Sequence, residues 1–247
     1  MHSLSRVNSS IWRVTHAGRM GVTTRMRFPL NGLQFYLPLG HAGLNGATVS
    51  TKAPFGNSIS FTVTGAVHTA PTHRAFDGDD FLRNISNDWL INDSSGTILI
   101  WVKYTSGTTL LCSWDTNALN SGFQYRFSSN KIMLETRSVA EGNDGVTGTK
   151  EFNDSTWHLV ILTSNGSAWA LYYDNGTVDT ISATSGTNLG SWFADIPNRD
   201  NITIGCRGRT TPDDYINALV GEIWVYSRVL STNEMKGIYN FTKGRYR

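Results

Sequence analysis

The sequence predicts an all-β fold, one large sandwich preceded by a basic N-terminal arm and closed by a short C-terminal helix. Three observations carry this. Of the 247 residues 24 are glycine and only 16% are charged, and Ser, Thr and Asn are frequent, a composition suited to many short strands joined by turns. Short apolar or alternating runs recur between turn residues along the chain, whereas no segment before Ser231 keeps a helical apolar period. A single sandwich of this length is common. No run is long and apolar enough to span a bilayer.

Residues 1–30 are expected to form the arm and residues 31–247 the sandwich. The arm carries Arg6, Arg13, Arg19, Arg25 and Arg27, and Asp77 is the first acidic residue of the chain. Seven of the 21 Lys and Arg residues precede Asp77, so a segment of +7 is followed by one of −5, fourteen bases against nineteen acids. Such asymmetry points to an acidic partner for the arm. The composition also fits a transit peptide, in which Val7, Ile11 and Val14 would share a helix face, but it lacks the apolar core of an export signal. The preferred reading is an arm held against a protein neighbour. Its arginines would pair with partner carboxylates, and Ile11 and Trp12 would fill small apolar pockets.

Residues 32–39 (GLQFYLPL) read as the first strand of the sandwich, with Leu33, Phe35 and Leu37 on one face and Pro38 at an edge position. Short strands, one near residues 58–63, follow before the tight turn at Asp77-Gly78. In residues 98–103 both faces are apolar, Ile98, Ile100 and Val102 against Leu99 and Trp101, so this strand is buried within the sandwich. Residues 123–127 and 132–136 form a hairpin around Ser129-Asn130, residues 157–163 and 169–173 follow as strands, and Asp174-Asn175-Gly176 supplies another turn. The glycine-rich stretch 142–145 reads as a loop. Residues 220–226 are the last long strand, after which Ser231 and Glu234 make a capping box for a helix reaching about Asn240. Cys112 and Cys206 each end a strand and allow one internal disulfide. Free buried thiols are the expectation.

Six runs keep a common order: FDGDDF (76–81), GTILIWVK (96–103), WHLV (157–160), LYYDNG (171–176), ITIG (202–205) and GEIWVYSRVLS (221–231). Together they resemble the laminin-G-like, concanavalin A-like jelly roll, whose members read FDGxDDY, W-V-K, W-H-x-V, LYVDG, L-T-I-G and DEVRIYNRALS in that order. The resemblance covers roughly residues 31–241. It implies two antiparallel sheets, residues 33–39 beside 220–226, and the helix packed at one end. GLQFYLPL, TVTGA (62–66) and RAFDGDDF (74–81) are similar to laminin-G-like proteins encoded by tailed phages. On that resemblance the chain is expected at the virion surface, as a capsid decoration or fibre component present in several copies or as a homo-oligomer. Its partners would be capsid or other virion proteins and a host-surface glycan. An extracellular or cell-surface carbohydrate-binding module is the alternative, and a subunit of an organellar complex the third.

The residues argue against catalysis. Retaining glycoside hydrolysis needs two carboxyls about 5 Å apart, which alternate positions on one strand supply, and no E-x-D-x-E run exists. Asp77 and Asp79 alternate but sit at a turn, while Asp213 and Asp214 are adjacent. The six histidines make no HExxH and pair with no C-x-x-C, and His158 reads as a hydrogen-bonded sheet residue. No nucleic-acid recognition module is visible. No cofactor is expected beyond a structural calcium, which the resemblance implies for many members. Asp77, Asp79 and Asp80 would supply its oxygen ligands, unless they simply cap the turn. The acidic residue that precedes Glu in the family's last run is Gly221 here. For carbohydrate, loop aromatics with polar neighbours are the candidates: Trp192, Trp114, and Tyr215 beside Arg207, Arg209, Asp213 and Asp214.

Overall fold

The computed structural model describes residues 2–7, 11–16, 24–25, 29–51, 58–86, 92–117, 121–138 and 142–247, with side chains described from Pro29 onward. In the arm, strands His2–Val7 and Ile11–His16 pair antiparallel, and Thr24–Arg25 pairs with the second. Val7, Ile11 and Val14 therefore lie on strands rather than on a helix face. Among the described residues this small sheet pairs with no strand of the sandwich. Arg6, Ile11, Trp12, Arg13 and Arg25 lie on its strands; Arg19 and Arg27 fall outside the described residues.

Two antiparallel sheets follow. The first runs in the order Thr177–Asp179, Trp169–Tyr173, His158–Ser164, Gly96–Gly107, Ile216–Tyr226, His73–Asp77 and Val67–Thr69. Leu33–Pro38 pairs along the C-terminal half of Ile216–Tyr226, Leu33 opposite Tyr226 and Pro38 opposite Glu222, as the resemblance implied. His73–Asp77 takes the other half of the same edge. The second sheet runs Ile181–Ser185, Gly142–Glu151, Lys131–Ser138, Gly122–Ser128, Thr109–Trp114, Ile202–Ile204, Phe81–Asn84, Ser60–Thr64 and Thr48–Ser50. Residues 142–145 are thus the start of a strand, not a loop. Their backbone pairs with Lys131–Ser138, and hydrogen bonds hold them in place of an apolar face.

The core explains the doubly apolar strand. Ile98, Ile100 and Val102 point between the sheets, packing with Phe35, Leu162, Val225, Leu111, Phe123 and Leu134. Leu99 and Trp101 point the other way, into a second cluster with Leu159, Trp224, Met235, Ile238 and Tyr246. The helix Thr232–Thr242 and the turn after it therefore cover the outer face of the first sheet, not one end of the sandwich as the resemblance implied, because Leu99, Trp101, Leu159 and Trp224 offer an apolar surface there. The helix starts as expected: the Ser231 hydroxyl accepts from the Glu234 amide at 3.3 Å, and the Glu234 carboxylate accepts from the Ser231 amide at 2.8 Å. Tyr246 also accounts for Gly221. Its ring lies so close that a Cβ there would stand 2.5 Å from Cε1, leaving no room for the family's acidic side chain. Ser129 and Asn130 both take positive φ, 49° and 65°, the geometry of a two-residue hairpin turn.

Candidate functional site

Strand alternation on the second sheet separates two sets of side chains. Leu111, Phe123, Tyr125 and Leu134 enter the core, so Cys112, Trp114, Gln124, Arg126, Glu135 and Arg137 face outward. Residues 206–215 fold over this outer face. Backbone bonds fix them there: Arg207 N–H to the Asp213 carbonyl at 2.8 Å, Thr108 N–H to Tyr215 at 2.9 Å and Thr109 N–H to Asp214 at 3.1 Å. Arg83 reinforces the cover by donating to the carbonyls of Gly208 and Arg209, at 3.2 and 2.8 Å.

The loop's predicted site residues are brought together. Arg207 holds Asp213 through two parallel bonds, Nε at 2.8 Å and Nη2 at 2.6 Å, the fork geometry that suits a carboxylate. Its Nη1 lies 3.0 Å from Asp214, and Arg209 reaches Asp213 at 3.2 Å. The hydrogen bond from Arg207 holds the Asp213 carboxyl below its usual range against the opposing effect of burial. Alongside, Glu135 bridges two arginines, Arg126 at 2.9 Å and Arg137 at 2.7 Å. Arg126, Glu135 and Arg137 are not loop residues, and loop reasoning missed them. The alternation Gln124, Arg126 and Glu135, Arg137 across one hairpin was the signal available.

Two of the expected aromatic platforms are corrected. Trp114 is fully buried. It lies flat across Gly122, where a Cβ would come within 2.1 Å of the indole. The guanidinium carbons of Arg207, Arg137 and Arg209 stand 5.6, 5.9 and 5.9 Å from its centroid. Trp114 is a post on which arginines rest, with no face left for a ligand. Trp192 is also fully buried; it packs edge-on against Phe123 at 5.5 Å and against Gly96, plugging one end of the core. Tyr215 alone of the three stays half-buried, tilted against Phe81 at 6.4 Å. Burial, and then the neighbouring Cys206, Asp79 and Asp213, raise its pKa.

In the acidic turn the ligand atoms of Asp77, Asp79 and Asp80 lie within 4.8 Å of one another. Asp80 is buried and accepts the Asp77 amide at 3.1 Å. The hydrogen bond and charge of Asp77 raise the pKa of Asp79. The all-oxygen donor set fits calcium rather than a softer metal. Cys112 and Cys206 are buried and free, and burial pushes both thiols up to about 12, which leaves them unreactive.

His158 is a hydrogen-bonded sheet residue, as expected. Its Nδ1 lies 2.9 Å from Asp174 and its Nε2 3.0 Å from Asp154. Burial alone would lower its pKa, but Asp174 and then Asp154 outweigh that and raise it. Burial would raise Asp154, yet the bonds from Thr156 and His158 depress it. A raised histidine contributes stability fully below its unfolded pKa of about 6.5 and loses it as pH climbs through the folded value. The depressed Asp154 contributes above about 3.9 and fades as pH falls through its folded value. The melting temperature of wild type minus that of His158→Asn is therefore expected to be larger near about pH 5.5 than near about pH 9. An equal gap at both would show that the two carboxylates do not hold the imidazolium.

Paired antiparallel sheets closed in this order define a lectin-type jelly roll. A model of the Laminin_G_3 family, described as the concanavalin A-like lectin/glucanases superfamily, matches residues 76–236, and the chain belongs to that family. No curated protein matches the sequence. Among solved structures, the CBM40 module of Ruminococcus gnavus IT-sialidase bound to α2,3 sialyllactose is similar with a TM-score of 0.55 and 16% identity, covering 72% of this chain and 97% of the module. The binding domain of botulinum neurotoxin serotype D gives 0.60 and 14%, covering 85% of this chain and 52% of that one. A point mutant of the NanB sialidase from Streptococcus pneumoniae gives 0.53 and 16%, over 67% of this chain but only 27% of that one. At these identities the likeness is one of fold. No helix among the described residues is long and apolar enough to cross a membrane.

Proposed function

We propose that this chain is a non-catalytic, lectin-like binding protein that presents the outer face of its second sheet to a glycan. The observation that carries this is the loop 206–215, which gathers Arg207, Arg209, Asp213, Asp214 and Tyr215 on a rigid sheet. The carboxylates there are tied to arginines, which leaves none placed as an acid or nucleophile. The likeness to a sialidase's carbohydrate-binding module supports the reading at the level of fold. Its test is a glycan array with wild type and Tyr215→Ala. Wild-type binding is expected to fall about tenfold in the variant at unchanged melting temperature. Reducing-end assays on a polysaccharide panel are expected to show no turnover; turnover lost on changing Asp213 or Asp214 would overturn the non-catalytic reading.

The finer reading is a phage virion surface protein, a capsid decoration or fibre component in several copies, anchored by residues 1–30. It rests on the phage-like runs and on the charge division, an acid-free segment of +7 before a body of −5. Deleting residues 1–28 is expected to leave a folded sandwich that no longer sediments with particles. Full incorporation of the truncated protein would remove the arm from the anchor and favour an extracellular or cell-surface module instead.

A further inference from the structure

Five guanidinium groups, those of Arg83, Arg126, Arg137, Arg207 and Arg209, meet around the loop 206–215. The carboxylates paired with them are three, Glu135, Asp213 and Asp214. Residues 77–247 as a whole carry fourteen bases against nineteen acids. Among the paired groups, guanidiniums thus outnumber carboxylates, on a body that is acidic as a whole.

That excess is not consumed within the protein. Among the described residues Arg137 gives its Nε to Glu135 and no hydrogen bond from either Nη. Arg209 gives one Nη to Asp213. The Nε groups of Arg83, Arg126 and Arg209 are buried with no acceptor. The side chains of Arg137 and Arg209 remain 28% and 24% exposed, within reach of a ligand. Both are also held in place, by the Trp114 ring that each approaches at 5.9 Å and by Glu135 and Asp213, so little side-chain entropy is lost on binding.

We infer that this face takes an anionic sugar unit, its carboxylate or sulfate oxygens received by Arg137 and Arg209. The inference rests on the glycan-binding reading and gives it a ligand class. A guanidinium presents parallel donors that match a planar or tetrahedral oxyanion. A neutral sugar, with hydroxyls alone, would leave that charge uncompensated. Trp114 acts here as a positioning residue, and Arg126, through the shared Glu135, sets the orientation of Arg137.

The test is calorimetry at one fixed salt concentration with three probes: α2,3-sialyllactose, 6-sulfated lactose and lactose. At least one acidic probe is expected to bind about tenfold or more tightly than lactose; which one does so separates a carboxylate ligand from a sulfate. Arg137→Gln should remove that preference at unchanged melting temperature, and Arg137→Lys should restore only part of it, because it returns the charge without the fork. Arg209→Gln serves as an independent variant should Arg137→Gln lower stability. Equal binding of acidic and neutral probes, or a preference untouched by both substitutions, overturns the anionic ligand while leaving glycan binding standing. Absence of binding to any glycan on a broad array overturns the parent reading, and this inference falls with it.

Discussion

Replacing Trp114 with alanine is expected to destabilise the fold by about 3–5 kcal/mol, the range for truncating a buried aromatic. The indole is fully buried on the outside of the second sheet, in a position that would face water in most sandwiches. Its removal would open a cavity beneath the loop 206–215 and take away the surface on which Arg137, Arg207 and Arg209 rest. Urea unfolding measures the loss, and Trp114→Phe should recover part of it. A loss under about 1 kcal/mol would mean that the ring is dispensable and that ion pairs alone hold the loop. The glycan affinity of any folded fraction should fall as well, since the arginines would no longer be held in one orientation.

Trp101→Ala should be about as costly, roughly 3–5 kcal/mol, by a different route. Trp101 lies on the outer side of the first sheet, stacked on Tyr246 at 4.5 Å and Tyr239 at 5.6 Å. Its Nε1 donates to the Thr242 hydroxyl at 2.8 Å. One side chain thus fastens both the helix Thr232–Thr242 and the residues after it. Hydrogen exchange should report the outcome: amides of the helix are expected to lose protection before those of Gly96–Gly107. Uniform loss across both would show that helix and sheet open as one unit.

The fold was largely legible because its central strands state their burial in residue type. Residues 98–102 are apolar on both faces, and each face found its cover, the opposite sheet on one side and the helix on the other. Ser231 with Glu234, and Ser129 with Asn130, are short-range signals whose chemistry is complete within a few residues, so no tertiary context could override them. The strands Gly142–Glu151 and Ile181–Ser185 escaped notice because of the first only Val146 enters the core, and the second is mostly exposed. Backbone pairing makes such strands, and it leaves no period in the sequence. The site was legible in its loop and not in its setting. Trp114 and Trp192 read as exposed because they lie near turn residues, yet burial depends on what folds over a ring. For Trp114 that cover comes from residues more than ninety positions away, Arg207 and Arg209.

The strand Ile216–Tyr226 links two ends of the molecule. The loop 206–215 feeds directly into Ile216, whereas the chain leaving the arm joins the sandwich at Leu33, opposite Tyr226. The two points are separated by ten residue steps of extended strand, on the order of 33 Å. A tether held at the arm and a ligand held at the loop would pull in opposite directions along that strand. The hydrogen bonds joining it to Leu33–Pro38 and to Gly96–Gly107 run across the line of pull, so they would share the load together instead of peeling one after another. If the arm is the attachment point and the loop the binding face, as proposed, the strand order would resist force between them.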